Sequence, residues 1–533
     1  MLFRTIGFVG ALAAATRAVE TKPSIIYILT DDQDVHMQSL DYMPLLKKYI
    51  ADEGTTYERH YCTTAICCPA RVSIFTGKLS HNTNVTDVVA PYGGYPQFID
   101  QSLNSNYLPI WLQDAGYNTY YASRLFIALM TTNYDNPHAA GWTSLDFLID
   151  PFTHSCWNAT WQRDMDPPVS REGTYNTDDL ANKTASFFFV GTAPVAPHDE
   201  VVMNPITFNG SIFSPDDPVI RPQITSPKPA ERHAGMFTDL KMLSISNVIL
   251  PTILWPSGVH WVSRLPQLNQ TIDEMAEQII QELETLDIAD NTYVIYSTDN
   301  GFHVSQNRLQ PGNTCIPKGA TTDMVTSHTD LAPTVFMMAG IEPKSDFDGV
   351  TIPLTEGEIG EGTRAEHLGI EYWGLSIVSS LHNKSSVGNT YKGIRVQSKD
   401  YNMYYSVHCT NEHELYDMTV DLFQINNLLP SGTNGTGMPV TTYDNSTASI
   451  IGQPLVKVSR LDAIMMVIKS CKGETWINPW GVLHPEGGYD DFYMKSIEQT
   501  SVSYSICANG YLVDAEGPQD SIIYQEANWS ALI

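Results

Sequence analysis

The apolar positions of this chain fall into short continuous runs, each closed by a polar cluster and followed by a helical period. The first is Ser24-Ile25-Ile26-Tyr27-Ile28-Leu29-Thr30, which ends in Asp31-Asp32-Gln33-Asp34. A run that is apolar on both faces reads as a strand buried in a parallel sheet. Residues 55–61, 116–122, 186–191 and 292–297 carry comparable strand signals. Three of them run into Ile66-Cys67-Cys68-Pro69, Ala193-Pro194-Val195-Ala196-Pro197-His198 and Asp299-Asn300-Gly301. Helical periods lie between them at 43–53, 108–115, 272–287 and 327–339, with Met275, Ile279, Ile280 and Leu283 on one face of the third. Residues 141–168 are predicted as an aromatic, loop-rich pocket rim, and the Pro-rich stretch 204–231 as a surface loop. Strand, polar cluster, helix, repeated, is the pattern of an α/β fold with a mostly parallel sheet flanked by helices. From about residue 365 the pattern shortens to strands at 391–396 and 401–407, followed by Glu414-Leu415-Tyr416-Asp417. This predicts a catalytic α/β domain over 19–365 and a smaller C-terminal α+β domain over 366–533 carrying a short antiparallel sheet.

Length agrees with two units, since 533 residues exceed one ordinary core. A net charge of −29 excludes a broad basic face for nucleic acid or acidic lipid, though not a basic pocket for a small anion. The first 18 residues read as a secretory leader: Arg4 is the positive region and Thr5 to Ala15 a short apolar run, too short to span a membrane. No other stretch has spanning length, so no membrane partner is expected. Glycosylation sequons begin at Asn84, Asn158, Asn182, Asn209, Asn269, Asn383, Asn434, Asn445 and Asn528, in keeping with a secreted glycoprotein. The eight cysteines leave disulfide connectivity open, as the sequence leaves the oligomeric state.

The chemistry gathers at the polar clusters. Pro69 suits the first turn of a helix and Gly77 can end it, which puts Cys67 and Cys68 where unpaired N–H groups favour an anion. Arg71 adds a fixed positive charge one turn on. The same residues also suit a buried cysteine pair at a helix start. Asp31-Asp32 at a strand end suit a cation, or a solvated acidic turn. With Asp299-Asn300 they offer three carboxylates and one amide oxygen, a donor set for Ca²⁺ rather than Zn²⁺.

Cys67-Cys68-Pro69-Ala70-Arg71 resembles the type I sulfatase signature Cys-x-Pro-x-Arg, whose cysteine is oxidised to formylglycine. With Asp31-Asp32, Pro197-His198 and Asp299-Asn300 in this order, the chain resembles secreted fungal arylsulfatases of the alkaline phosphatase superfamily. The likeness runs from Ile25 to about Leu429 and includes Ser327-His328-Thr329-Asp330-Leu331-Ala332-Pro333-Thr334, Asp348-Gly349 and Glu414-Leu415-Tyr416-Asp417. It implies an alkaline-phosphatase-like fold and hydrolysis of a small sulfate ester. It further implies a formylglycine-generating enzyme as maturation partner, and Ca²⁺ held by Asp31, Asp32, Cys67, Asp299 and Asn300. Hydrated formylglycine at Cys67 would attack sulfur, Arg71 would orient it, and His198 would protonate the leaving oxygen. His198 also suits a structural histidine.

The chain departs from the family in places. Ser123-Arg124 stands where Gly-Lys is usual; Arg124 keeps the charge but is larger and planar. Leu129 stands where related fungal chains have histidine. Pro311-Gly312-Asn313 lacks the lysine expected in a Pro-Gly-Lys context, and Asn313-Thr314-Cys315 runs almost directly into Ile316-Pro317-Lys318-Gly319 without the usual intervening segment. Arg124 and Lys318 are therefore the substrate-binding candidates. Two further readings stay open: a non-catalytic sulfatase-like glycoprotein, and a phosphomonoester or phosphonate hydrolase of the same superfamily.

Overall fold

A computed structural model describes residues 2–5, 22–33, 38–184, 191–202, 223–238, 258–303, 312–314, 322–355, 358–359, 366–374, 389–397, 401–422, 424–429, 433–434, 438–439, 458–483 and 502–517. Its centre is a mixed sheet of ten strands. In chain order these are β1 (Leu2–Thr5), β2 (Ser24–Thr30), β3 (Gly54–Tyr61), β4 (Tyr120–Ser123), β5 (Ser144–Leu148), β6 (Thr160–Arg163), β7 (Val169–Ser170), β8 (Gly191–Ala193), β9 (Thr292–Thr298) and β10 (Thr322–Ser327). In space they run β10-β3-β1-β9-β2-β8-β4-β5-β6-β7. From β9 to β5 every neighbouring pair is parallel, and β10 is parallel to β3. The strands β1, β6 and β7 are antiparallel to their neighbours. The mostly parallel α/β expectation therefore holds, with an antiparallel hairpin on one edge and one inserted strand.

That inserted strand is Leu2–Thr5, within the stretch expected to be a cleavable leader. It pairs with β3 on one side and β9 on the other, so those four residues lie inside the sheet rather than apart from the fold. The stretch 141–168 also differs from its prediction as loop. It carries β5 and β6, strands of five and four residues, too short to show a period in sequence. Of the predicted strand at 186–191, residues 186–190 lie outside the described residues, and Gly191 opens β8.

Helices cover both faces. Helix α1 (Cys67–Thr76) is buried at all ten positions and stops where Gly77 turns left-handed at φ 66°. A Cβ on Gly77 would meet the Phe347 ring at 2.7 Å, so both backbone and space demand glycine there. The predicted helix at 272–287 is the last part of a longer one, α2 (Gly258–Thr285), which turns Ile272, Met275, Ala276, Ile279, Ile280 and Leu283 onto β2 and β9. Helix α3 (Leu331–Met338) follows a 3₁₀ turn at His328–Asp330, where Ser327 and Asp330 form a capping box.

The C-terminal part has its own antiparallel sheet of β11 (His367–Tyr372), β12 (Tyr391–Gln397), β13 (Asn402–His408) and β14 (His413–Asp417), in that order. Helix α4 (Val458–Ile468) packs on it, and a disulfide joins Cys409 to Cys507. Among the described residues no helix is long and apolar enough to cross a membrane. The sequons divide by environment: Asn158 and Asn182 are exposed, whereas Asn269 is fully buried inside α2 and donates to the Ser39 carbonyl. A sequon there is closed to a glycan by packing.

Candidate active site

Every parallel strand delivers its C-terminal end to one edge of the sheet, where open α/β sheets place ligands. Register does the first part of the assembly. Thr30 on β2 pairs with Thr298 on β9, so Asp31-Asp32 and Asp299-Asn300 leave the sheet side by side. The Asp299 amide donates to the Thr30 carbonyl at 3.0 Å, and the Asp32 amide to Asp299 Oδ1 at 3.3 Å. Asp32 holds the left-handed region at φ 62°, a strained conformation that aspartate tolerates better than most residues. One oxygen from each of Asp31, Asp32 and Asp299 lies within 4.8 Å of the others.

The helix start supplies the next groups. Cys67 is the first residue of α1, and its Sγ lies 3.5 Å from Asp31 Oδ1. Arg71, one turn on, reaches the same carboxylates: its Nε donates to Asp299 Oδ2 at 2.8 Å and its Nη2 lies 3.3 Å from Asp31 Oδ2. Its Nη1 donates to the Arg124 carbonyl at 2.5 Å, which ties the helix to the end of β4. Arg124 follows Ser123, itself held at φ 96°, and its Nη1 also pairs with Asp31 Oδ2. Both arginine side chains are fully buried. His198 arrives from the turn after β8; its Nδ1 donates to the Asp199 carbonyl at 2.8 Å, so Nε2 faces Asp32 Oδ2 at 3.4 Å. A carbonyl only accepts, so the ring proton of neutral His198 sits on Nδ1 and Nε2 is the atom that exchanges protons with the site.

The electrostatics follow from burial and this crowding. Burial, then Asp31 and Asp299, push Asp32 up to about 8. Burial and Asp31 also raise Asp299, against the pull of Arg71. Asp31 goes the other way: burial opposes ionisation, but Arg124 and Arg71 hold it below the usual carboxylate range. Burial and the three carboxylates push the Cys67 thiol well up, despite Arg124. A thiol kept protonated is a poor nucleophile, so unmodified Cys67 is not equipped to attack.

The site fits a hard dication. Its donors are oxygens, two of the three carboxylates are driven toward protonation by burial and by the neighbouring carboxylates, and Asn300 Oδ1 is buried with no hydrogen-bond partner among the described residues. Asn300 Nδ2 meanwhile donates to Asp32, fixing the amide in place.

Of the residues singled out in the sequence, Asp31, Asp32, Cys67, Arg71, Arg124, His198, Asp299 and Asn300 converge here. Lys318 lies outside the described residues. Leu129 is buried in the apolar core beside Phe126 and Met130. Sequence reasoning missed His154, in the turn after β5. Arg124 Nη1 lies 2.7 Å from its Nε2, and its ring lies 4.4 Å from that of His198. The available signal was positional: β5 is one more parallel strand whose end reaches the same edge.

Comparison with known proteins identifies the family. The Sulfatase family profile matches residues 23–341. An arylsulfatase of Volvox carteri is 30% identical over 555 residues, covering 91% of this chain and 80% of its own. The sulfatase ppz1 of Metarhizium majus is 31% identical over 441 residues, covering 72% and 89%. Among solved structures, the putative sulfatase yidJ of Bacteroides fragilis aligns with TM-score 0.57 at 16% identity, covering 78% of this chain and 93% of its own. BT4656 in complex with its substrate D-glucosamine-2-N,6-O-disulfate aligns with TM-score 0.53 at 19% identity, covering 76% and 93%. At these identities the structural likeness speaks for the fold.

Proposed function

Because the chain belongs to the sulfatase family, we propose that it is a secreted, calcium-dependent arylsulfatase, splitting an aryl sulfate and water into a phenol and sulfate. Sulfuric ester hydrolysis is the family's chemistry; the aryl preference, calcium, formylglycine and secretion are the proposal. One observation carries it: three carboxylates, a signature cysteine and two buried guanidiniums share a single sheet edge. Two positive and three negative side chains leave one excess negative charge. A dication reverses that excess, and His198 adds a further positive charge when it donates from Nε2, so the site suits an anionic ester.

Asp31, Asp32, Asp299 and Asn300 would hold Ca²⁺ beside residue 67. When bound, the ion polarises oxygen and balances charge. Cys67, converted by a formylglycine-generating enzyme, would carry the reacting oxygen. Arg71 orients that residue from the same helix. Arg124 binds sulfate oxygens with the N–H groups that Asp31 leaves free. His198 donates from Nε2 to the leaving phenolate oxygen.

The test is release of a chromogenic phenol from its sulfate ester by protein co-expressed with a formylglycine-generating enzyme. Activity should vanish in Cys67→Ala, fall on calcium chelation and return with calcium. Mass spectrometry should find an aldehyde at position 67. Release no greater than that of Cys67→Ala would refute the enzyme and leave a non-catalytic glycoprotein.

A further inference from the structure

We propose that His154 is a positioning residue for the substrate anion: it pins Arg124 so that one edge of the guanidinium is presented to the sulfate. The proposal rests on the sulfate-ester reading of the site and names a residue outside the signature motifs. Arginine has only donors, so the contact at 2.7 Å makes His154 Nε2 the acceptor of an Arg124 Nη1 hydrogen bond. The imidazole is then neutral, with its proton on Nδ1. The same Nη1 also engages Asp31, so two acceptors from two different strand ends hold one nitrogen. That leaves Nε and Nη2, both buried and without a hydrogen-bonded oxygen or nitrogen among the described residues. The Cys67 thiol is the neighbour that feels this guanidinium. Nε and Nη2 lie on one edge of the planar fork and suit two oxygens of one sulfate. His154 Nδ1 is also buried and has no hydrogen-bond partner among the described residues. Donors without an oxygen or nitrogen acceptor are costly in a closed site, and the Nε–Nη2 edge of Arg124, whose hydrogen-bonding neighbour is the Cys67 thiol, points to an anion that supplies better acceptors.

His154 holds Arg124 sterically as well. Its ring lies on His198, centroid to centroid at 4.4 Å and tilted by 35°, so it is wedged between the anion-binding side and the proton donor. A lysine at position 124 has no planar fork for an imidazole to aim. The arginine at this position and the histidine at 154 therefore form one device.

The experiment separates the hydrogen bond from simple packing. In His154→Gln the amide oxygen stands close to the place of Nε2 and can accept from Arg124. In His154→Phe the ring and its stacking remain but the acceptor is lost. Calorimetric titration with sodium sulfate, in the Cys67→Ala background with calcium, reads the anion site without turnover. His154→Phe should weaken sulfate binding by about tenfold or more, as loss of a charge-assisted hydrogen bond implies, and His154→Gln by no more than about threefold. In an Arg124→Ala background the Phe substitution should add nothing further. In active protein the His154→Phe loss should fall mainly on KM. Equal weakening by Gln and Phe, an additive loss in Arg124→Ala, or no sulfate binding by the parent would overturn the proposal. Sulfate binding with this pattern but no ester hydrolysis would defeat the enzyme reading alone. Hydrolysis with unchanged sulfate binding in His154→Phe would defeat this proposal alone.

Discussion

Replacing Glu371 by Gln should unfasten the C-terminal sheet from the catalytic part and make that loss depend on pH. Glu371 sits on β11, buried, and accepts from the His81 amide at 3.0 Å, the His81 ring at 2.7 Å and Lys392 Nζ at 3.0 Å. Lys392 sits directly opposite on β12, also bonds the Lys469 carbonyl at 2.7 Å, and lies over the Trp373 ring. Burial alone would raise the Glu371 carboxyl, but His81 and Lys392 bring it down from 4.5 to about 2. At about 1.4 kcal/mol per unit this shift is worth about 3 kcal/mol, which matches the usual cost of breaking a buried ion pair, about 3–5 kcal/mol. The sign follows from the depressed value. The contribution is fully present above pH 4.5 and is lost as pH falls toward 2. Urea unfolding of the wild type and Glu371→Gln should differ by about 3 kcal/mol at pH 7, and the gap should close steadily below pH 4.5. Adding Lys392→Met to Glu371→Gln should cost less than Lys392→Met alone, because the single change removes the lysine from two buried carboxylates, Glu371 and Glu516. A difference under about 1 kcal/mol at neutral pH, or one that does not shrink in acid, would refute the reasoning.

Three further outcomes can be checked. Gly77→Ala should destabilise by about 2 kcal/mol in thermal or urea unfolding, since it adds left-handed strain to a 2.7 Å approach to Phe347; a neutral result would mean that α1 does not end as described. Cys409→Ala should cost about 4 kcal/mol, as expected for opening a disulfide across 98 residues, and reducing agent should destabilise the wild type but not the variant. Protein cut after Ala18 loses β1, so amide exchange at Thr55 and at Tyr293 to Tyr296 should quicken against the uncut chain; unchanged protection there would show that β1 does not close the sheet.

Most of the site was legible because its parts are local. Ser24–Thr30 and Thr292–Thr298 are buried on both faces, so composition alone marks them as central strands and their polar ends as a candidate edge. The cap at Gly77 and the turn around Pro69 likewise depend on residues within one helix. What stayed hidden depends on distant pairing. Strands β5 and β6 are too short to show a period, so nothing in the sequence places the turn between them, and His154 with it, at the active edge. The Cys409–Cys507 bond joins segments whose proximity no spacing reveals. Arg124 was legible as a cation, but its direction, along Asp31 and away from water, comes from three strand ends meeting. Asn269 shows the limit of short motifs: the tripeptide is right, and the helix around it is closed.

The pairing of Thr30 with Thr298 makes β2 and β9 behave like two rulers read against each other. Point substitutions in these strands alter packing, but a single inserted or deleted residue does something different. It moves one carboxylate pair along by a position and swaps the face to which each side chain points. Asp299 would then face away from Asp31, while the strand itself could remain apolar, buried and paired. Within residues 24–32 and 292–300 the chain should therefore accept many replacements of similar size but no change of length. A library of one-residue insertions and deletions, scored separately for folded yield and for calcium-induced stabilisation, should lose the second readout across both strands while parts of the first survive.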